Sequence, residues 1–302
     1  MLGSKRWQTP AALTAWAMIS SAQAACPPVG WDDATLLRLR EARFELPDDA
    51  RRAALAQGLL DCLGDPRPLL RDEIAFEALS TWLRAGKLPT SQLGAIRDAL
   101  LPRLTADDPD GFARPFAALV LAELARVDRV APWLDTKGRK EMLQAALAYE
   151  RSVRDYRGFD AAQGWRHGVA HGADWLLQLA LNPALDSEAL GEIVAAVATQ
   201  VAPAGEHFYI YGESERLAQP VFYAARRGLH DAQFWSTWLE ALAAPAPLTS
   251  WSDAFESQAG LAKRHNTQAF VQVLYVMVHE SGDAALIERL RPGLLAALKA
   301  LP

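Results

Sequence analysis

The sequence predicts an all-α fold of stacked antiparallel helix pairs, and three observations carry that reading. Apolar residues recur at three- and four-residue spacing in nearly every segment from Asp32 onward. Runs of alternating polarity are almost absent, HFYIYG at 207–212 being the one β-looking stretch. Apolar helices centred on EIAFEALSTWL, PFAALVLAELA, HGVAHGADWLLQLA, RLAQPVFYAARRG and TQAFVQVLYVMV return about every 40 to 50 residues, each followed by a further amphipathic helix. One helix pair cannot bury both of its faces, so neighbours must stack into a continuous core, as HEAT and armadillo arrays do. Roughly ten or more helices, and no sheet of three or more strands, are expected on this basis.

The elements follow in order. DDARRAALAQGLLDCLG at 48–64 places Ala54, Leu55, Leu59, Cys62 and Leu63 on one face; Asp48 and Asp49 start it, Gly64 stops it and Pro66 follows. Similar units are PLLRDEIAFEALSTWLRAG at 68–86, TSQLGAIRDALLPRL at 90–104, FARPFAALVLAELARV at 112–127 and TKGRKEMLQAALAYERSV at 136–153. TADDPDG at 105–111 and PAPLTS at 245–250 are turn-rich but short, typical of connections within a domain. Residues 25–302 therefore read as one helical-repeat domain. Most tryptophans stand at core spacing, which assigns them to core filling.

Bulk composition narrows the function classes. Of 302 residues, 51% are hydrophobic and 22% charged, a balance that argues against extended disorder. The net charge of −5 and the mixing of bases with acids, as in RRGLHD and RDEIAFE, argue against nucleic acid as a partner.

The first residues read as a signal peptide over 1–24. MLGSKR is a positive start, AALTAWAMI is a short apolar run, and Ala22-Gln23-Ala24 offers small residues where a signal peptidase reads. A permanent membrane span needs about 20 apolar residues, so none is expected in the mature chain. Cys26 and Cys62 then read as a disulfide in an oxidising compartment, periplasmic or secreted. The alternative makes Cys26 a lipid-modified N-terminus, with Gln23 standing where a lipoprotein signal carries Leu. The bridge would tether the start CPPVGW to the first helical hairpin.

GWRHGVAHGADWLL, residues 164–177, is the chemically unusual stretch. On a continuous helix His171 lies about 40° from His167 and Asp174 about 20° to its other side, while Trp165, Val169, Leu176 and Leu179 gather opposite. Gly164, Gly168 and Gly172 would line one flank, each weakening a helix by about 1 kcal/mol relative to Ala. Such a flank suits close approach by another backbone or a ligand. His at i and i+4 can share a metal such as zinc, and a carboxylate one turn on can be a third ligand, which makes His167, His171 and Asp174 a candidate metal set. The pattern lacks the Glu beside the first His of a metalloprotease helix. A polar ligand site, or His–Asp hydrogen bonds within a buried helix contact, fits the same residues. Asp155, Arg157 and Gly158 of DYRGF form a tight loop just before. Glu213, Glu215 and Arg216 stand at a later helix start, where the acids complement the helix dipole. His265 and Asn266 of AKRHNTQAF read as another helix start, with Asn as an ordinary N-cap.

DYRGF, GWRHGVAHGADWL, YGESERLA and RHNTQAF together resemble the bacterial family catalogued as domain of unknown function 2785, over most of the chain beyond residue 50. The family pattern falls on Asp155, Arg157, Gly158, Trp165, His167, His171, Asp174, Glu213, Glu215, Arg216 and Asn266. The resemblance implies a helical repeat fold and supplies no activity. Where the family commonly has Glu-Asp before Glu-Arg, this chain has Glu213-Ser214. The expectation is a binding protein with a polar pocket around the 164–177 helix, shared with the Arg157 loop and the Glu213–Arg216 helix start, for a small polar ligand or a peptide or protein partner. Carboxylates beside the imidazoles would raise the histidine pKa values there. A metal-assisted hydrolase using the same residues is one alternative, and a scaffold without a small-molecule site is another.

Overall fold

The computed structural model describes residues 26–302. The signal peptide read over 1–24 lies outside them. Twelve α-helices account for most of the described chain: α1 (Asp33–Glu41), α2 (Asp49–Leu59), α3 (Glu77–Arg84), α4 (Thr90–Leu100), α5 (Ala113–Val130), α6 (Thr136–Ser152), α7 (Gly168–Ala180), α8 (Ser187–Val201), α9 (Glu213–Arg226), α10 (Ala232–Leu242), α11 (Gln258–His279) and α12 (Ala284–Ala300). The fold is all-α. The sheet among the described residues is a single two-stranded hairpin, β1 (Phe159–Asp160) with β2 (Gly164–Trp165).

Aspartate punctuates the helices. Asp32, Asp48, Asp135, Asp186, Asp231 and Asp283 each stand at an N-cap and accept a hydrogen bond from the backbone N–H three residues on. Each such cap is worth about 1 kcal/mol, and together they fix where the helices begin. In the core α5 packs on α7, α7 on α9 and α9 on α11, while α6 lies on α8 and α10 on α12. One apolar cluster runs without interruption from Leu36 to Leu301, and Trp82, Trp175 and Trp235 are fully buried in it. No helix among the described residues is long and apolar enough to cross a membrane.

Three local readings need revision. The 68–86 unit opens as a π-helix over Leu69–Phe76 before it becomes α3, widening the turn around the fully buried Arg71. HFYIYG is a loop and not a strand, because its backbone groups are taken by side chains from elsewhere. Asn266 lies in the interior of α11, eight residues past the true start at Gln258, so it caps nothing. The cysteine pairing holds: Cys26 is bonded to Cys62 with the Cα atoms 5.1 Å apart. Beside the bridge the Pro28 ring fills the space over Gly58, where a Cβ would lie 2.8 Å from it.

Candidate functional site

The hairpin before α7 sets the geometry. Phe159 pairs with Trp165 and Asp160 with Gly164, and Asp160 Oδ1 accepts from the backbone N–H groups of Ala162 and Gln163 to close the turn. Gly164 turns the chain at φ +73°. Arg166 N–H donates to the Gly158 carbonyl and His167 N–H to that of Arg157, carrying the ladder to the helix. His167 is thereby held left-handed, at φ 57° and ψ 38°, as the residue before α7. A non-glycine residue there is strained by about 1–3 kcal/mol, and surrounding contacts must enforce it.

That conformation corrects the helical stripe. Trp165 and His167 precede the helix, so neither follows its angular spacing. Gly164 belongs to the hairpin, and Gly168 and Gly172 are the two that let α6 approach α7. A methyl group at Gly172 would overlap Glu150 Oε2, and one at Gly168 would meet Val153 and Tyr149. Trp165 stands on the surface and not on the core face. Its ring stacks on His167 at 4.6 Å and meets Tyr211 edge-on, with Phe159 alongside. Trp165 is 39% exposed, Phe159 49% and Ile210 69%, three large apolar groups open to solvent on adjoining loops. A Cβ at Gly158 would collide with the Tyr211 ring, which lies flat against that position.

His167 Nε2 lies 3.0 Å from the Tyr211 carbonyl, which can only accept, so this nitrogen carries the proton and Nδ1 keeps the lone pair. Glu213 is buried beneath, one oxygen accepting from Tyr211 N–H at 2.9 Å. Burial pulls the His167 pKa below its usual value, against the opposing pull of Glu213. His171 is driven further down by burial, helped by the charges of His167 and Arg216. The expected upward shift is therefore reversed: loss of water outweighs the carboxylates. His171 donates from Nδ1 to the Pro115 carbonyl at 3.2 Å and packs its ring edge-on against Phe116.

Asp174 is taken by Arg216, whose Nε donates to Oδ1 at 2.8 Å and whose Nη2 pairs with Oδ2. With Asp174 in that fork and His171 turned to a backbone carbonyl, the candidate metal set does not converge. Among the described residues no three His, Cys, Asp or Glu side chains gather where they could hold a metal ion. A closed seam with no room for a water molecule does bring Asp155, Arg157, His167 and Glu213 to one place; His171, Asp174 and Arg216 do not line it. Asp155 and Arg157 form an ion pair at its rim, and the guanidinium holds the Asp155 carboxyl below its usual range against the effect of burial. Glu215 points to solvent. Asn266 is fully buried and acts as a clamp, Oδ1 accepting from Tyr209 N–H and Nδ2 donating to the His207 carbonyl. His265 reaches the Tyr209 carbonyl at 3.3 Å.

Three polar residues were missed from the sequence. Glu150 is fully buried on α6, and neither carboxyl oxygen has a hydrogen-bond partner. Burial pushes its pKa well up and the nearby Asp174 adds to this, which favours the uncharged acid. The signal was there: Leu143, Ala146, Leu147 and Glu150 share one helical stripe, and the last is an acid at a core position. Arg71 and Arg166 hold the hairpin from below. Both guanidiniums lie over the Phe112 ring, at 3.9 and 4.2 Å, and Arg71 Nη2 donates to the Gln163 carbonyl at 2.7 Å.

The hairpin, the 207–212 loop and Asn266 thus meet around His167, and the sequence model of one family spans all three, matching residues 100–276. The chain belongs to the family described as "Protein of unknown function (DUF2785)". The matched range includes the residues that build the Trp165–His167–Tyr211 stack and the Glu213 seam. No curated protein and no solved structure matches the chain.

Proposed function

We propose that this DUF2785 member is a binding protein of the cell envelope whose ligand lies on the Trp165 stack. In this reading residues 1–24 are a signal peptide and the mature protein is periplasmic or secreted; anchoring through a lipidated Cys26 is the alternative. The Cys26–Cys62 bridge supports an oxidising compartment. The succession of α5, α7, α9 and α11, with α6 and α8 beside it, supports helix pairs stacked in the HEAT or armadillo manner.

The observation that carries the proposal is His167. A strained left-handed histidine sits under a surface tryptophan, with an ion-paired Asp155–Arg157 rim and a buried Glu213 beside it. Strain of this kind persists where function needs a side chain in one position. An exposed aromatic face next to fixed charges suits a small polar molecule or peptide segment with one flat or apolar side. The hydrolase reading draws no support from the donor set, since Asp174 is neutralised by Arg216.

Saturation-transfer NMR with a library of di- and tripeptides and small polar acids tests this. The expected result is hits that Trp165→Ala and Arg157→Ala each abolish at unchanged thermal midpoint. Hits retained by both variants, or no hits across the library, would reject the site.

A further inference from the structure

We infer that the 207–211 segment is an unpaired strand edge that takes an extended, basic peptide by β-augmentation. This edge is separate from the Trp165 stack, which meets the segment at Tyr211 through its ring and its carbonyl. The segment runs between two glycines of positive φ, Gly205 at +127° and Gly212 at +87°, and none of its own five residues has a positive φ. Its backbone bonds alternate. Asn266 Nδ2 donates to the His207 carbonyl, Asn266 Oδ1 accepts from Tyr209 N–H, and His265 Nε2 lies 3.3 Å from the Tyr209 carbonyl. Tyr211 N–H donates to Glu213, and the Tyr211 carbonyl accepts from His167. In an extended chain the N–H and C=O of one residue point to one edge and those of the next residue to the other. The odd-numbered residues therefore fill one edge with side-chain partners. The N–H and C=O groups of Phe208 and Ile210 point to the other edge, and they form no hydrogen bond among the described residues. Ile210 is 69% exposed, which opens that edge to solvent.

Three properties define the occupant. Phe208, Tyr209, Ile210 and Tyr211 are strand-favouring residues with no Pro or charge among them, so the segment lacks the devices that usually blunt an exposed edge. Two donors and two acceptors repeating at two residues, about 7 Å, are complemented by another extended backbone and by no compact small molecule. Charge then selects the chain that supplies it. Glu206 and Glu215, exposed beyond either end, join no ion pair among the described residues. A second copy would bring the same acids and a net charge of −5 against them, whereas a peptide with flanking basic residues neutralises them. The fully buried Asn266 holds the segment extended before any partner arrives, which lowers the ordering cost of binding.

The experiment is fluorescence anisotropy of a labelled hexapeptide, Lys-Val-Thr-Val-Thr-Lys, titrated with the protein; the same peptide with Glu at both ends is the control. Saturable one-to-one binding is expected, at least about tenfold weaker for the Glu peptide. Ile210→Pro removes an N–H that the free fold leaves unbonded and should weaken binding by about tenfold or more, whereas Ile210→Ala should cost less than about threefold. Amide exchange followed by NMR reads the same edge without a substitution: the peptide should slow exchange at Phe208 and Ile210 and leave Tyr209 and Tyr211 as they were. No saturable binding, unchanged exchange at Phe208 and Ile210, or full affinity in a folded Ile210→Pro protein would overturn the inference. Binding lost in Trp165→Ala but kept in Ile210→Pro would move the peptide to the stack, and a concentration-dependent dimer would give the edge to a second copy; either result also overturns it.

Discussion

Glu150→Gln isolates the cost of an acid in the core. The carboxyl is fully buried, neither oxygen is hydrogen-bonded, and burial favours its uncharged form in the fold. The unfolded chain ionises at the ordinary value of 4.5. A raised folded-state pKa means that the fold binds the proton more tightly than the unfolded chain does. Its contribution is complete below 4.5 and is lost as pH rises toward the folded value. Each pH unit in that window costs about 1.4 kcal/mol. Glutamine has nearly the same shape and does not titrate. The stability of Glu150→Gln relative to the native chain should therefore grow by up to about 2.3 kcal/mol between pH 4.5 and 6.5. With a urea dependence of about 3 kcal/mol per molar, the midpoints separate by up to about 0.8 M across that interval. Urea unfolding followed by circular dichroism at pH 4.5, 5.5 and 6.5 measures it. Parallel pH profiles for the two proteins would refute the reasoning.

Other outcomes follow from the same neighbourhood. Gly172→Ala should destabilise by about 1–3 kcal/mol despite the better helix propensity of Ala, because the new methyl overlaps Glu150 Oε2. A Gly172→Ala/Glu150→Ala double-mutant cycle should show coupling above about 0.5 kcal/mol, and simple additivity would remove the contact from the account. His171, depressed by burial, contributes stability that is full above 6.5 and lost as pH falls below it, by about 1.4 kcal/mol per unit. His171→Asn, whose amide can replace Nδ1 in the bond to Pro115, should flatten that acid limb in the same urea assay. Removing the disulfide with Cys26→Ala/Cys62→Ala opens a link spanning 36 residues and should cost about 3–4 kcal/mol, read as a lowered urea midpoint.

What could be read from the sequence was local. Asp48 as a start and Glu213 as a helix beginning rest on short-range chemistry, and both hold; the cysteine pair, 36 residues apart, was legible because each has just one possible partner in the chain. The site residues were legible as a set but not as a geometry. His167 and Trp165 were placed by extending a helix backward, and one left-handed residue ended that extrapolation. Spacing cannot reveal a positive φ at histidine, because the cause lies in the hairpin ladder and the Tyr211 carbonyl 44 positions away. Asn266 failed similarly. Beside a loop-like sequence it reads as a cap, whereas its partners are Tyr209 and His207. Glu150 was legible, had its place on an apolar stripe been weighed against its charge.

The Asn266 clamp also bears on how the protein is made. Its partner His207 is 59 residues earlier in the chain. A chain that emerges amino end first delivers the loop before the amide that secures it. Through that interval the Tyr209 N–H and the His207 carbonyl have only water to bond with. A nascent chain can form the hairpin and α7 early, yet it cannot fix the opposite wall until α11 has emerged. A product that stalls or is clipped between α10 and Asn266 keeps every aromatic of the Trp165 stack and lacks the means to hold its loop still. Recognition would thus be withheld from incomplete chains by a single amide.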